Sequence, residues 1–336
     1  MNVSTKYDIE LLYERMGSSW IVDSVYLLVT TPIGFIGGIL NLLSLFIIYK
    51  IKIDQTNLYK YLSFYSINGS FFCFLCSLVF IGYSPRYCSY YLGYFARIYR
   101  GILFIMIAAI SYFIGNMLDI IIALDRLSIF IKSFKPFTKY NPFIVCLVIT
   151  IISILVNLPI AFSYYVKNDQ EFYNDINYSL SSFVYSGRTE YFYSNLATII
   201  SYIQVFIRDI TTLVLEILTS SLALYYLKKF NKHQIEMNLF VTEMNEIRRE
   251  VIRKRIIKDR QLLLVNLIQT IISFISHVLV CVSYVYASRG ISSELFTWLC
   301  IGYLANCFKH FTNFFIFYFF NSNFKNKFKN LFLCKN

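Results

Sequence analysis

Residues 143–166 read FIVCLVITIISILVNLPIAFSYYV, and none of them is Asp, Glu, Lys or Arg. A helix that crosses the hydrocarbon core of a bilayer needs about 20 mostly apolar residues. This stretch is long enough and apolar enough to cross the bilayer. It therefore predicts a transmembrane helix.

The composition of the whole chain extends this prediction. Of its 336 residues, 57% are hydrophobic and 15% are charged, and the mean hydropathy is +0.56. A soluble domain carries about 25% charged residues, so this composition predicts a membrane protein. The formal net charge of +12 would suggest a nucleic-acid partner in a soluble protein. Here the basic residues fall mainly on one side of the predicted membrane, so we expect no nucleic-acid partner.

Seven segments of the chain are long and apolar enough to span the bilayer. They are residues 22–49, 57–82, 98–131, 143–166, 196–227, 260–287 and 296–320. The sequence therefore predicts an all-α membrane protein, a seven-transmembrane helix bundle over residues 22–320. Residues 1–21 form the tail before the bundle, and residues 321–336 follow its last helix.

The distribution of Lys and Arg predicts the orientation, because these residues are enriched in cytoplasmic loops. Between the spans they are roughly three times as frequent on the side of the C-terminus as on the other side. This asymmetry predicts a plasma-membrane protein with an extracellular N-terminal tail and a cytoplasmic C-terminus. Two N-x-S sequons, at Asn2 and Asn177, lie on the predicted extracellular side and are candidate glycosylation sites. A third, at Asn68, falls inside the second span, where we expect it to be unreachable.

The link between the fifth and sixth spans has its own pattern. In residues 241–259, VTEMNEIRREVIRKRIIKD, apolar residues recur at helical spacing among many charges. We interpret this segment as a cytoplasmic extension of the sixth helix. Its charged face is open to two interpretations, contact with lipid and solvent or contact with a signalling partner.

Two local motifs lie at the predicted cytoplasmic ends of the third and seventh helices. The third helix ends in ALDRLSIF, in which Asp125-Arg126 precedes a short basic loop. The seventh ends in NFFIFYFFNSNFKNKF, in which Asn313, Phe317 and Asn321 recur every four residues. With the topology, these motifs resemble the rhodopsin-like G-protein-coupled receptor family. That family carries Asp/Glu-Arg-Tyr at the first place and Asn-Pro-x-x-Tyr at the second.

The resemblance implies a ligand-activated receptor that signals through a heterotrimeric G protein. It implies that Asp125 and Arg126 lie at the coupling interface, and that Asn313, Phe317 and Asn321 form an activation and packing motif. It also implies a short amphipathic helix in residues 321–336 that lies on membrane lipid of the inner leaflet. Cys334 is a candidate palmitoylation site beside that helix, and a buried or free thiol is the alternative.

The sequence also departs from the family pattern. The fourth helix lacks the family's Trp, the fifth lacks its Pro, and the sixth has SFISH at 273–277 instead of Cys-Trp-x-Pro. Gly101 stands where the family has a disulfide Cys. The pattern resembles a divergent branch, similar to the expanded invertebrate orphan and chemosensory receptors. Ala108 and Cys307 replace the residues that bind biogenic amines and retinal in the family, so we expect a different extracellular ligand, a peptide or a small molecule.

Several charged residues fall inside the predicted spans. They include Asp119, Arg208, Asp209, Glu216 and Lys309. A charge at mid-bilayer costs at least about 2.5–3.5 kcal/mol, so each needs a partner or a function. Counting helical turns from the two motifs places Asp119 and Lys309 at similar depth, facing the bundle interior. We predict that these two residues pair, with Glu216 as the alternative partner of Lys309. Structural pairing alone is one other interpretation of these charges, and the ion pathway of a transporter or channel is another.

The sequence carries no pattern typical of an enzyme or a metal site. Its three His are scattered, its eight Cys are spread along the chain, and no Gly-rich phosphate loop occurs. Cys73 and Cys76 form a CxxC inside an apolar run, which favours helix packing over a zinc or redox pair. We therefore expect no enzymatic activity, no cofactor and no metal.

Overall fold

The fold was analysed in a computed structural model of the full chain. The structure describes residues 26–50, 57–78, 105–128, 131, 140–162, 164–169, 183–188, 194–240, 264, 267–282 and 293–332. The predicted tail 1–21, the link 241–259, both candidate glycosylation sites (Asn2 and Asn177) and Cys334 lie outside these residues.

One helix lies in each of the seven predicted spans, and an eighth follows them. The helices are α1 (Thr31–Lys50), α2 (Asn57–Ser77), α3 (Ile105–Leu127), α4 (Pro142–Phe162), α5 in three consecutive parts (Asn195–Val205, Phe206–Thr211 and Thr212–Phe240), α6 (Leu267–Val282), α7 (Ser293–Phe320) and α8 (Ser322–Phe332). A π-helical turn, Tyr26–Thr30, leads into α1, and the middle part of α5 is also π-helical. The predicted seven-helix membrane bundle is confirmed.

The side chains of α4 show how the bundle suits a bilayer. Its buried residues include Ser153 and Asn157, whereas Leu147, Ile151 and Leu155 are exposed at the bundle surface. A soluble helix places its apolar face inward, but lipid is as apolar as Leu and removes that drive. Polar groups in a bilayer face the protein interior, where they find partners. This arrangement is typical of a helix with one face against lipid and the other face packed on the bundle.

Four helical segments of the described chain are long and apolar enough to cross a membrane by composition alone. They are Leu28–Lys50, Met106–Asp125, Pro142–Phe162 and Asn195–Tyr226. The helices α2 and α7 are more polar because their inward faces carry side chains such as Asn68, Ser70, Lys309 and His310, all of which are buried. Their polarity therefore marks the bundle interior.

Several helix boundaries differ from those predicted, among them the ends of the fourth and fifth helices, and a hairpin is added. The fourth helix ends at Phe162, and β1 (Tyr164–Asp169) pairs antiparallel with β2 (Phe183–Arg188) in the link to α5. The predicted boundary at 166 was too late because the aromatic and β-branched residues after Ser163 suit a strand as well as an apolar helix. The fifth helix continues to Phe240, beyond the predicted end at 227. Once a chain leaves the bilayer, charged residues continue a helix readily.

An aromatic cluster joins α7 and α8 at one end of the bundle. Phe324 of α8 is 1% exposed, and its ring centroid lies 5.7 Å from that of Phe314 and 5.9 Å from that of Phe317. Tyr61 and Tyr65 of α2 belong to the same buried cluster. Burial of Phe324 therefore holds α8 against the bundle and fixes its position relative to α7.

Close packing of α1 on α2 gives a first prediction. A Cβ at Gly34 would lie 2.7 Å from the carbonyl oxygen of Cys73 and 2.9 Å from the amide nitrogen of Ser77, which are both backbone atoms. We expect Gly34→Ala to push the helices apart and to lower the free energy of unfolding by about 1–3 kcal/mol. Thermal unfolding of the purified protein in detergent measures this loss.

Gly115→Ala is the matched control, because a Cβ at Gly115 would meet its nearest neighbour, Asn68 Nδ2, at 3.4 Å. This substitution should lower the unfolding temperature much less than Gly34→Ala. Equal effects of the two substitutions would mean that close backbone approach does not set the α1–α2 contact.

Candidate functional site

A buried ion pair lies in the middle of the bundle. Lys309 Nζ of α7 is 2.5 Å from Asp119 Oδ2 of α3, and it donates a hydrogen bond to Asn116 Oδ1 at 2.9 Å. Asn116 and Asp119 are three residues apart and therefore share one face of α3. Lys309 and Asp119 are only 3% and 7% exposed. The structure thus brings together the two residues that the helical spacing predicts as partners.

The carboxylate of Asp119 is also tied to α6. Gln269 Nε2 donates to Asp119 Oδ1 at 3.1 Å, and Ser273 Oγ donates to Asp119 Oδ2 at 3.1 Å. Tyr65 of α2 reaches the same carboxylate with its hydroxyl at 3.5 Å. Asp119 therefore links α3 to α2, α6 and α7, and a change at any of these contacts alters the balance of the others.

Glu216 of α5 joins this network through a shared hydroxyl. Ser273 Oγ lies 2.9 Å from Glu216 Oε1 as well as within reach of Asp119. A hydroxyl has one proton to donate, so Ser273 donates to one carboxylate at a time, or it accepts a hydrogen bond from whichever carboxyl group is protonated. Among the described contacts Glu216 reaches Lys309 only by way of Ser273 and Asp119, so Glu216 is not the direct partner of the lysine.

His277 lies one helical turn beyond Ser273 on α6. Its Nδ1 is 3.5 Å from Glu216 Oε2, and its Nε2 is 3.2 Å from Thr212 Oγ1. Within the described part of the chain, neither His277 Nδ1 nor Glu216 Oε2 has a hydrogen-bond partner. Tyr112 of α3 packs edge-on against the imidazole at 5.7 Å between ring centroids. The imidazole is fully buried.

Arg208 and Asp209 form a second buried ion pair, in the π-helical part of α5. Arg208 Nε donates to Asp209 Oδ1 at 3.0 Å, and Nη2 donates to Oδ2 at 2.8 Å, a two-point contact. Arg208 Nη1 also reaches Asn157 Oδ1 of α4 at 3.4 Å. Neighbouring residues of a regular α-helix do not face each other. The π-helical segment accompanies this contact, and such segments are frequent at functional sites.

The remaining predicted site residues lie near the α8 end of the bundle. Asp125 and Arg126 occupy the last turn of α3, and Asn313 and Phe317 are buried on α7. Asn321 precedes α8 and accepts a hydrogen bond on Oδ1 from the backbone N–H of Phe324 at 3.1 Å. An Asn in this position is a favoured N-cap, so Asn321 starts α8.

Three residues of the central network were missed by the sequence analysis, and they are Asn116, Gln269 and Ser273. A separate buried pair, Asn68 and Ser111, is joined by two reciprocal hydrogen bonds, and its Ser111 was missed as well. A usable signal was present, because Gln269, Ser273 and His277 recur every four residues within an apolar stretch. Such a polar stripe faces the interior in a membrane protein.

A third grouping was not expected from the sequence. Asp209, His277 and Cys281 each offer a ligand atom, and these atoms all lie within 4.8 Å of one another. Asp209 lies far along the chain from the other two, so the contact depends on how α5 packs against α6.

Comparisons with known proteins place this geometry in a structural class. No family model and no curated protein matches the chain. Among solved structures, squid rhodopsin has a similar fold, with a TM-score of 0.65 and 14% sequence identity. The match covers 93% of this chain and 86% of squid rhodopsin. The protein is therefore a multi-pass membrane protein with the seven-helix fold of rhodopsin, and its place in a divergent invertebrate branch stays a prediction.

Proposed function

We propose that this protein is a plasma-membrane receptor that binds an extracellular peptide or small molecule and activates a heterotrimeric G protein. One observation carries the proposal. The similarity to rhodopsin extends over 93% of the chain, and within that fold Asp125-Arg126 ends α3. A guanidinium in this place can be held by a neighbouring carboxylate or released to a partner protein.

The α8 helix supports the same function. Phe324 points into the bundle, while Lys325, Lys327 and Lys329 remain exposed or half-exposed. A helix with one apolar face and several lysines lies flat at a membrane surface and is attracted to anionic lipid. Anionic lipid is concentrated in the cytoplasmic leaflet, which favours a cytoplasmic location for this end of the bundle. A transporter has no evident need of such a helix.

The pairing of the intramembrane charges bears on the alternative of a transporter or channel. Arg208 is paired with Asp209, and Lys309 with Asp119. An ion pathway needs charged groups that exchange partners with a passing ion or proton. Two-point and multiply bonded pairs are better suited to holding helices in one arrangement, which favours the receptor.

A cell-based screen tests the proposed function. The chain is expressed in cultured cells, which are exposed to pooled peptides and small odorants while dissociation of G-protein subunits is recorded. At least one pool should activate a G protein in expressing cells and not in the parental cells. Solute uptake or ionic current without activation of any G protein would support the transporter or channel instead.

Terminal tags test the predicted orientation. Antibody against a tag at Met1 should label intact cells, and antibody against a tag at Asn336 should label only permeabilised cells, because the basic loops are cytoplasmic. Labelling of the C-terminal tag on intact cells would reverse the topology and remove Arg126 from the cytoplasm.

Glycosylation tests the predicted topology on its extracellular side. Endoglycosidase should increase the gel mobility of the wild-type chain, because Asn2 and Asn177 face the lumen during synthesis. The double substitution Asn2→Gln and Asn177→Gln should abolish the shift. A shift that persists in the double variant would place another sequon, such as that at Asn68 in α2, outside the membrane.

A further inference from the structure

The cluster of Asp209, His277 and Cys281 has the composition of a transition-metal site. It combines a carboxylate, an imidazole and a thiol whose ligand atoms lie within 4.8 Å of one another. Zinc takes this mixture of oxygen, nitrogen and sulfur ligands at about 2.0–2.3 Å, so ligand atoms around one ion are separated by only a few ångströms. His277 and Cys281 are four residues apart and share one face of α6. We propose that these three residues bind a zinc ion between α5 and α6.

The surroundings of His277 supply the second observation. A metal-bound imidazole donates its other N–H to a carboxylate or carbonyl, which fixes the tautomer and strengthens the ligand. His277 Nδ1 faces Glu216 Oε2 at 3.5 Å, and both atoms are otherwise without hydrogen-bond partners in the described part of the chain. With zinc on Nε2 in place of the Thr212 hydroxyl, Nδ1 carries the proton and donates a hydrogen bond to Glu216. Zinc on Nε2 thus fixes the tautomer that pairs these two buried atoms.

The charges around the cluster also balance with a divalent ion. Asp209 and Glu216 are buried carboxylates, and Arg208 supplies one positive charge beside them. A zinc-bound cysteine is a thiolate, because the metal displaces the thiol proton to solvent. Zinc and the guanidinium together then match the two carboxylates and the Cys281 thiolate. Without the ion, the same group holds one more carboxylate than guanidinium, an arrangement that burial makes costly.

Arg208 does not block the site. Its guanidinium donates one hydrogen bond to each carboxylate oxygen of Asp209. Each oxygen retains a second lone pair that can bind a metal. Arg208 is also drawn toward Asn157 of α4. Asp209 and His277 are buried, whereas Cys281 is only partly buried. A fourth position on the ion is left for water or another ligand, as in zinc sites with three protein ligands.

Zinc binding to the purified full-length chain tests the site. The protein is reconstituted in lipid nanodiscs, freed of metal with a chelator, and titrated with Zn²⁺ against a chromogenic competitor. We expect one tightly bound Zn²⁺ per chain. Cys281→Ser removes a ligand with little change of shape and should weaken binding by at least about tenfold. Glu216→Leu removes the acceptor for His277 and should weaken it by about 10–100-fold.

Cys146→Ser is the matched control, because Cys146 is a buried thiol on α4 outside the cluster. It should bind Zn²⁺ as the wild type does. Co²⁺ gives a second readout, since a cobalt–thiolate bond produces a charge-transfer absorption that wild type should show and Cys281→Ser should lack. Absence of stoichiometric Zn²⁺ binding in wild type, or equal affinity in wild type and Cys281→Ser, would overturn the proposal. If Cys281→Ser does not fold, absence of the cobalt–thiolate absorption in wild type would overturn it.

Discussion

Replacing Arg126 with alanine is expected to leave the protein at the cell surface and to reduce the proposed G-protein activation by about tenfold or more. The residue lies in the last turn of α3, at the end of the bundle that we predict to be cytoplasmic. Removing one partner of a buried charge pair between two proteins costs about 2–5 kcal/mol of binding free energy. A loss of this size weakens the affinity more than tenfold. Subunit dissociation of the G protein, measured against surface density by flow cytometry, gives the effect per receptor.

Two further substitutions separate a specific role of Arg126 from a general effect of charge. Lys132→Ala removes a basic residue from the short loop that follows α3 and should reduce signalling only slightly. Arg126→Lys keeps the charge but not the planar, five-donor geometry of the guanidinium, so its signalling should remain well below wild type. An Arg126→Ala variant that signals at full strength with unchanged potency would remove this residue from the coupling interface.

The second large effect is expected at the buried pair of Lys309 and Asp119. Lys309→Met keeps most of the side-chain volume and leaves the Asp119 carboxylate without its cation. Breaking a buried ion pair by removing one partner costs about 3–5 kcal/mol. We expect Lys309→Met and Asp119→Asn each to lower surface expression and the unfolding temperature. The double variant should recover part of the loss, because neither partner is then left charged alone.

Each residue also has partners of its own, such as Asn116 for Lys309 and Ser273 for Asp119, so a double-mutant cycle is needed to isolate the coupling between the two. Contacting residues in one hydrogen-bond network show coupling energies of about 0.5–3 kcal/mol. Lys329→Met is the control, because Lys329 is an exposed lysine of α8 and its loss should leave stability unchanged. Defects of Lys309→Met and Asp119→Asn that simply add in the double variant would show that the pair is not coupled.

The sequence predicted the Lys309–Asp119 contact because each of the two helices contains a motif residue whose depth in the membrane the resemblance implies. Arg126 fixed the depth of Asp119 on α3, and Asn313 fixed that of Lys309 on α7, so counting helical turns sufficed. The contact of Arg208 with Asp209 was harder to foresee. It occurs in a π-helical segment, where the regular α-helical spacing used for counting no longer applies.

The polar network beyond the ion pair depends on packing between distant segments. Ser273 reaches both Asp119 and Glu216 only because α3, α5 and α6 converge, and no spacing within one helix predicts this. The β1–β2 pairing has the same origin, since its strands join residues that are distant in sequence, such as Tyr164 and Arg188. Sequence periodicity reports which face of a helix is polar, but it does not report which other helix that face meets.

Nucleotide exchange on a purified G protein tests the proposed function most directly. The wild-type chain in lipid nanodiscs is mixed with a heterotrimeric G protein and the peptide or odorant pool that is active in cells, and release of GDP from the α-subunit is followed. Receptor function predicts faster release with the wild-type chain than with empty nanodiscs, and a rate near that of empty nanodiscs with Arg126→Ala. Release at the rate of empty nanodiscs with the wild-type chain, for a representative α-subunit of every class, would contradict a G-protein-coupled receptor.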